Sequence, residues 1–394
     1  MLEILINKCE KGRKIALLEN GKLIEYYIDE EESIRKEGNI YIGIVKDIVK
    51  GLQAAFVDIG IEKNSFIHLK DILDKIDESK EKLNTQINIS EVTKIGQKLL
   101  VQVKKDSNLQ KGARVSTHIN LPSKYIALMP NTDIVTISQK ITDKKEQERL
   151  VKLVKENLNK GNGAIIRTSA IGKKQEIIDD IKDVEARWKQ IETTFKNNKA
   201  SKPKLIAKSE NIVEKMLIDL PENSIQKITI NNKKDYEKML KFKENKNYLK
   251  GTTIELIKDQ DIFDKYDLEK EIAKIENRKI WLKCGGFITI DKTEALTAID
   301  VNTGKYTGTK NVEHTIYKVN EEATIEIAKQ LRLRDIGGII IIDYIDMQSE
   351  ENKQKIKELL IEKLKKDRTK TQVEGFTKLD LMEMTRKHIC SHKE

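Results

Sequence analysis

Two aspartates, Asp300 and Asp343, each stand at the end of an apolar run with strand character. Ala295 to Ile299 leads to Asp300, and Asn302 follows two residues on. Four consecutive isoleucines, Ile339 to Ile342, lead to Asp343. An all-apolar run bounded by Gly337-Gly338 and a polar stretch predicts a strand buried on both faces. An acid ending such a strand places a carboxylate at the rim of a sheet, where helix-covered sheets hold their ligands. Two carboxylates and an amide oxygen are hard ligands. Mg²⁺ takes one or two carboxylates and completes its shell with waters and phosphate oxygens. Ordinary strand-end caps explain the same spacing, so both readings stand at this point. Asp346 is read as a supporting or structural group, and Glu294 as a further candidate on the same terms.

The elements that must position these residues follow from periodicity. Val312, Ile316, Val319, Ala323, Ile327 and Leu331 recur every three or four residues, which predicts a helix ended by Gly337-Gly338. Strand, helix and strand then form a crossover unit able to bring the two aspartates together. Upstream, residues 1 to 34 read as short strands with a hairpin turn at Asn20-Gly21. Two strands cannot close a core alone, so this piece packs on something later. Residues 35 to 120 read as short Gly-broken strands, an OB-fold barrel interrupted by a polar insertion over about 74 to 94. Phe56 and Phe66 there are either core or a platform on which bases stack. Asn64 and Ser65 incline Phe66 towards solvent. Lys104, Lys105, Lys111 and Arg114 add a basic cluster.

Residues 121 to 212 hold a helix over about 143 to 159 and a charged one over about 174 to 197. Ile178, Ile181, Val184, Trp188 and Ile191 give the second helix a plain amphipathic face. Between them Arg167 and Thr168 follow an apolar run. A guanidinium beside a hydroxyl suits a terminal phosphate, although an arginine at a strand end is usually a surface residue or a salt-bridge partner. Lys365, Lys366, Arg368 and Lys370 lie on a basic amphipathic stretch that either meets RNA backbone or is a solvated helix face.

Composition sets the bounds. The chain has 394 residues, enough for two to four domains. A net charge of +10 and a pI near 9.1 point to a polyanionic partner. Charged residues of both signs make up 35%, so the surface is mixed with a basic excess, not a basic tail. Three cysteines without a CxxC pair argue against a disulfide framework and fit a reducing, cytoplasmic setting. No apolar run is long enough for a membrane span, the N-terminus lacks a signal-peptide core, and no GxxxxGK[ST] loop is present.

The strings TEALTAIDVNTGKYTG and LRLRDIGGIIIIDYIDM, with DLMEMTRK at 380 to 387, resemble the bacterial ribonuclease E/G family. The resemblance implies an α+β and α/β multidomain chain. Its parts would be a discontinuous ribonuclease H-like domain (1–34 and 213–276) and an inserted OB-fold RNA-binding barrel (35–120). A 5′-phosphate sensor region (121–212) and a deoxyribonuclease I-like catalytic domain (277–394) would complete it. Asp300 and Asp343 would hold a catalytic Mg²⁺, or Mn²⁺, supported by Asn302. Phe66, Lys111 and Lys370 would contact RNA, and Arg167 and Thr168 would sense a 5′-monophosphate. The implied activity is endonucleolytic cleavage of single-stranded RNA to 5′-phosphate and 3′-hydroxyl ends, in ribosomal RNA processing or message decay. The family's CPxCxG motif is absent where the chain ends HICSHKE. A structural Zn²⁺ is therefore not expected, and any homo-oligomer would form without the zinc link. A non-catalytic RNA-binding or ribosome-associated protein is the rival reading. A phosphodiesterase acting on DNA or small phosphoesters is the third.

Overall fold

The computed structural model describes residues 1–10, 12–30, 36–72, 88–107, 110–199, 202–244, 246–258, 260–304 and 312–389. The chain divides into two units, Ile34–Asp219 on one hand and Met1–Ser33 with Leu220–Glu394 on the other.

In the first unit, five strands form a barrel: Ile40–Val49, Ala54–Asp58, Ser65–His68, Arg114–Ser116 and Lys98–Lys105. Pairing of Ile40–Val49 with Lys98–Lys105 closes it. Alternate residues point inward, so Val45, Val57, Ile67, Val101, Val103 and Val115 fill the interior. Most of the insertion expected over 74 to 94 lies outside the described residues. Its end is the short helix Ile89–Val92, held by a capping box of Asn88 and Glu91.

A second sheet in this unit runs Val135–Ile137, Asn162–Ile166, Ile126–Pro130, Leu121–Pro122. Helices Lys144–Asn157 and Gln175–Asn197 pack on it. The longer helix buries Ile177, Ile181, Val184, Trp188 and Ile191. Ile177, not Ile178, opens this stripe, because steps of four, three, four and three residues keep one helical face inward.

The second unit contains two sheets. The first runs Thr253–Leu256, Ile225–Ile230, Leu2–Cys9, Gly12–Glu19, Lys22–Glu30. Asn20 and Gly21 have φ of 51° and 76°, the left-handed pair that a two-residue hairpin turn requires. The N-terminal strand pairs in parallel with Ile225–Ile230, so the first strands obtain their partner from far along the chain.

The other sheet carries the aspartates. Its order is Lys279–Trp281, Phe287–Lys292, Leu296–Asn302, Gly338–Asp343, Leu381–Arg386, Thr371–Phe376. Helix Val312–Leu333 connects the two central strands, which are parallel. That helix and Glu350–Leu364 cover one face, where Val319, Ile327, Leu331, Ile356 and Leu360 join Ile288, Ile299, Val301, Ile340 and Ile342. Burial on both faces does not occur. Ile339 is 51% exposed, and Ala298, Asp300 and Asp343 are exposed as well. Both helices lie on one side, so the strands alternate and the opposite face is open. The crossover helix also ends earlier than the glycines imply. It stops at Leu333, and Asp335, at φ 47°, supplies the left-handed turn. Gly338 instead begins the next strand.

A buried ion network locks the far end of this sheet. The Arg386 guanidinium donates to Asp367 at 2.7 Å and to Asp335 at 2.9 Å, with all three side chains about fully buried. Burial pushes the Asp367 carboxyl up, but the Arg386 charge and its hydrogen bonds outweigh this and hold it below the ordinary value of 3.8. A depressed carboxylate stabilises the fold above its unfolded pKa, and that contribution is lost as pH falls through the folded value. Arg386→Leu should therefore cost about 3–5 kcal/mol at pH 7, because two acids are left buried without their cation. In urea melts the deficit should shrink as the pH is lowered and the Asp367 carboxyl, left without its cation in the variant, takes up a proton. A deficit independent of pH would show that the network does not contribute in this way.

Candidate active site

Asp300 and Asp343 occupy the same rung of the parallel pair Leu296–Asn302 and Gly338–Asp343. Adjacent strands lie about 4.8 Å apart, and residues on one rung point to one face. The two carboxylates therefore stand side by side on the open face, at the C-terminal ends of their strands. Asn302 lies two residues on with the same parity, and its amide Nδ2 donates to Asp300 Oδ2 at 2.6 Å. This fixes the orientation of the Asp300 carboxylate. Partial burial and the charges of Asp300 and Asp346 raise the Asp343 carboxyl above its ordinary range.

Asp346 therefore acts electrostatically on the pair. It is not the cap of the next helix, since Ser349 takes that position and accepts from Asn352 N. Asp291, one row below Asp300 on the neighbouring strand, is neutralised by Arg278 at 2.7 Å. Glu294 sits in the hairpin before Leu296, at the opposite end of the strand from Asp300. Among the described residues no group of three or more His, Cys, Asp or Glu forms a closed metal cage. The donor set is an open one of two crowded carboxylates with an amide beside them. That fits a hard divalent ion whose remaining positions go to water and a phosphate.

Phe56 and Phe66 come together on the barrel. They are cross-strand partners, half-buried on the outer surface, with ring centroids 6.2 Å apart and edge-to-face at 71°. Neither belongs to the barrel core. Arg114 pairs with Phe66 on the next strand and is ion-paired to Asp71 at 2.9 Å. Lys111 is exposed on the loop leading to Arg114. The adjoining Gly112 packs so tightly that a Cβ would come 2.0 Å from the Asn64 carbonyl oxygen. Only glycine allows this approach, which holds Lys111 beside the start of the Phe66 strand. Lys104 is turned to the barrel itself, donating to Gln102 Oε1 at 2.8 Å and to the His118 carbonyl.

Arg167 follows the strand Asn162–Ile166, and its backbone N–H donates to the Tyr125 carbonyl at 2.9 Å. Its guanidinium is paired with Asp219 in a close contact. Thr168, beside it, is exposed at the first position of a short 3₁₀ turn. Both predicted sensor residues are thus adjacent, with the arginine already held by a carboxylate.

The basic stretch near 365 to 370 divides. Lys365, Lys366 and Lys370 are exposed. Arg368 is not a solvent-facing cation: it is buried, donates to Glu25 at 2.9 Å and lies 5.6 Å from the Tyr27 ring. Arg332 reaches the same Glu25 at 3.1 Å. Lys370 precedes the strand Thr371–Phe376, whose first residue pairs with Arg386. Arg386 in turn pairs with Gly338, whereas Asp343 pairs with Leu381. Lys370 is therefore at the other end of the sheet from the carboxylate pair. His388 Nδ1 lies 3.1 Å from the Asp335 carbonyl, and Cys390 and His392 are outside the described residues.

These features define a multidomain α/β protein with a small RNA-binding type of barrel and a paired-carboxylate site on a separate sheet. A profile of the S1 RNA binding domain matches residues 35–117. A profile of the Ribonuclease E/G family matches residues 120–389. Ribonuclease G of Salmonella typhimurium (strain SL1344) is 39% identical over 393 residues, covering 98% of this chain and 79% of the relative. Ribonuclease G of Escherichia coli (strain K12) is 39% identical over 392 residues with the same coverage. The putative ribonuclease E of Buchnera aphidicola subsp. Baizongia pistaciae is 36% identical over 401 residues, covering 99% and 96%. The chain belongs to the ribonuclease E/G family and is an endoribonuclease. No described helix is long and apolar enough to cross a membrane.

A raised carboxyl is a cost to the folded state once it ionises. Asp343 favours folding below its unfolded pKa, and that contribution is lost as pH rises through the folded value. Asp343→Asn should therefore melt at a higher temperature than the parent at pH 7 in EDTA. The gap should narrow as the pH falls through the raised pKa of the parent carboxyl and it takes up its proton. A variant that melts lower at pH 7 would contradict the repulsion inferred here.

Proposed function

We propose that the chain is a Mg²⁺-dependent endoribonuclease of single-stranded RNA, with Asp300 and Asp343 as metal ligands and Asn302 as their support. The observation that carries this reading is the shared rung of Asp300 and Asp343 on the open sheet face. Bound there, a divalent ion (Mg²⁺, with Mn²⁺ as a substitute) supplies Lewis-acid polarisation of a phosphate oxygen and an activated water. The residues do the rest. Asp300 and Asp343 present oxygen ligands from rigid strands, and Asn302 keeps the Asp300 carboxylate in one orientation. Attack by water in line with the leaving 3′-oxygen yields 5′-phosphate and 3′-hydroxyl ends.

The barrel binds single-stranded RNA through Phe66 and Phe56, with Lys111 near a phosphate; the matched S1 domain supports this. Arg167 and Thr168 take a 5′-monophosphate. The Asp219 contact pre-orients the guanidinium, which retains further donors for a phosphate. Lys370 contacts RNA backbone away from the cleavage point. The proposed domains are a ribonuclease H-like part (1–34 with 213–276), the OB-fold (35–120), the sensor region (121–212) and a deoxyribonuclease I-like part (277–394). A mixed sheet with the N-terminal hairpin against parallel strands supports the first, and the helix-backed six-stranded sheet supports the last. The substrates would be ribosomal RNA precursors and messages in the cytoplasm.

The test is cleavage of a short single-stranded RNA carrying a 5′-monophosphate or a 5′-hydroxyl. Asp300→Ala and Asp343→Ala should each lower the Mg²⁺-dependent rate by about 10²–10³-fold or more, the usual cost of removing a transition-state electrostatic group. Full-rate cleavage by either variant would end the metal-ligand assignment. Arg167→Ala should bring the monophosphate rate down to the hydroxyl rate while sparing the latter. An undiminished monophosphate advantage would remove Arg167 from the sensor. Phe66→Ala should weaken RNA binding roughly 5- to 150-fold, as loss of one stacked base does. Binding without cleavage by the parent protein, with or without Mg²⁺, would favour the non-catalytic reading.

A further inference from the structure

The open sheet face holds a second chemical feature, on the two strands beside Asp300. Lys279–Trp281 pairs with Phe287–Lys292, which pairs with Leu296–Asn302. The rungs place Lys279, Thr289, Asp300 and Asp343 in one row, and Trp281, Phe287 and Asn302 in the next that shares their face. Ile280, Leu282 and Ile288, which alternate with them, pack into the core on the other side. Trp281 and Phe287 are packed edge-to-face, with centroids 5.4 Å apart and planes at 64°. The Lys279 ammonium lies 4.1 Å from the Trp281 ring centre and 3.6 Å from that of Phe287.

We propose that Trp281, backed by Phe287 and Lys279, is a base-stacking subsite for a nucleotide next to the scissile phosphate. The inference rests on the carboxylate pair being the cleavage site. Trp281 is 59% exposed although it is the largest apolar side chain a protein can bury. Its placement is not a packing accident of a loop, because both aromatic residues lie on paired strands of the sheet that carries the acids. From strand spacings, Phe287 is about 8 Å and Trp281 about 12 Å from Asp300 along the sheet surface. A nucleotide neighbouring the one at the carboxylates spans that distance.

The chemistry also favours RNA over a protein partner. An indole accepts any base on its π-face, and a cation beside it both polarises the stack and meets the adjoining phosphate. Lys279 supplies positive charge on a rim otherwise dominated by Asp300, Asp343 and Asp346. A polyanion aligned on the acids needs such charge there.

Two readouts test the subsite in the 394-residue chain. The chain has two tryptophans, and Trp188 is buried. In a Trp188→Phe background with EDTA, a short single-stranded RNA should quench the remaining indole fluorescence, with saturation at the binding constant. Trp281→Ala should reduce cleavage efficiency roughly 5- to 150-fold, the range for one lost stacked base. Trp281→Tyr should restore most of it. One abasic position in the RNA should cause the same loss in the parent and no further loss in Trp281→Ala. Unchanged fluorescence together with parent-like cleavage by Trp281→Ala would overturn the proposal. An alanine variant whose melting temperature falls and whose loss is the same at every abasic position would also overturn it, since the effect is then structural. Failure of the wider reading is separable: it shows as activity that survives Asp300→Ala, whatever Trp281 does.

Discussion

The in-register pairing of Leu296–Asn302 with Gly338–Asp343 is the constraint on which the site depends. A strand has a side-chain period of two, so a slip of one residue would send Asp343 into the helix-packed face and Ile342 into solvent. Burial of Ile340, Ile342, Ile299 and Val301 under the crossover helix makes that slip costly. Each such side chain is worth roughly 1.5–3 kcal/mol when buried. The apolar side of the strands thus fixes where the acids stand. Two carboxylates are held on adjacent strands although their charges repel, because the hydrophobic term on the opposite face is much larger.

The same logic explains the salt links behind the sheet. Glu25, Arg332 and Arg368 join the first strands of the chain to the crossover helix and to the segment before Thr371. Asp335, Asp367 and Arg386 tie the end of the crossover helix and the segment before Thr371 to the Leu381–Arg386 strand, at the N-terminal end of Gly338–Asp343. Both networks are buried and paired, so they contribute little net stability compared with apolar packing, but they discriminate strongly against misplacement. Breaking either leaves an uncompensated charge. The helices and strands that carry the acids are therefore positioned by groups distant from the acids themselves.

Much of this was legible in the sequence, and what was not has physical reasons. The Asn20-Gly21 hairpin and the 312–333 helix follow from local rules of turn chemistry and helical period. The ends of the two apolar runs located Asp300 and Asp343, since a strand and its terminal acid are contiguous. The open face was not legible. Four isoleucines in a row carry no alternation, so Ile339 and Ile341 read as buried when the fold leaves their side uncovered. Arg368 read as a surface cation because its partner, Glu25, is hundreds of residues away. The Phe56–Phe66 pair lay between two readings until strand pairing set both rings on the outer surface.

The aromatic group at Lys279, Trp281 and Phe287 shows the same limit from another side. In sequence these residues are scattered over a hairpin and share no motif. Antiparallel pairing brings Trp281 opposite Phe287, and the next pairing sets Phe287 opposite Asn302. Chemistry that sequence order separates is thereby assembled across three strands, on the side of the sheet that the helices do not reach. An uncovered sheet face is expensive unless it is polar or used. Here it carries two acids, an amide, two aromatic rings and a cation within a few rungs, which is the mixture that a flexible polyanion with flat bases can satisfy. The open face and the candidate site are then one feature: under the proposed reading, leaving this side of the sheet without helices is what makes room for the substrate.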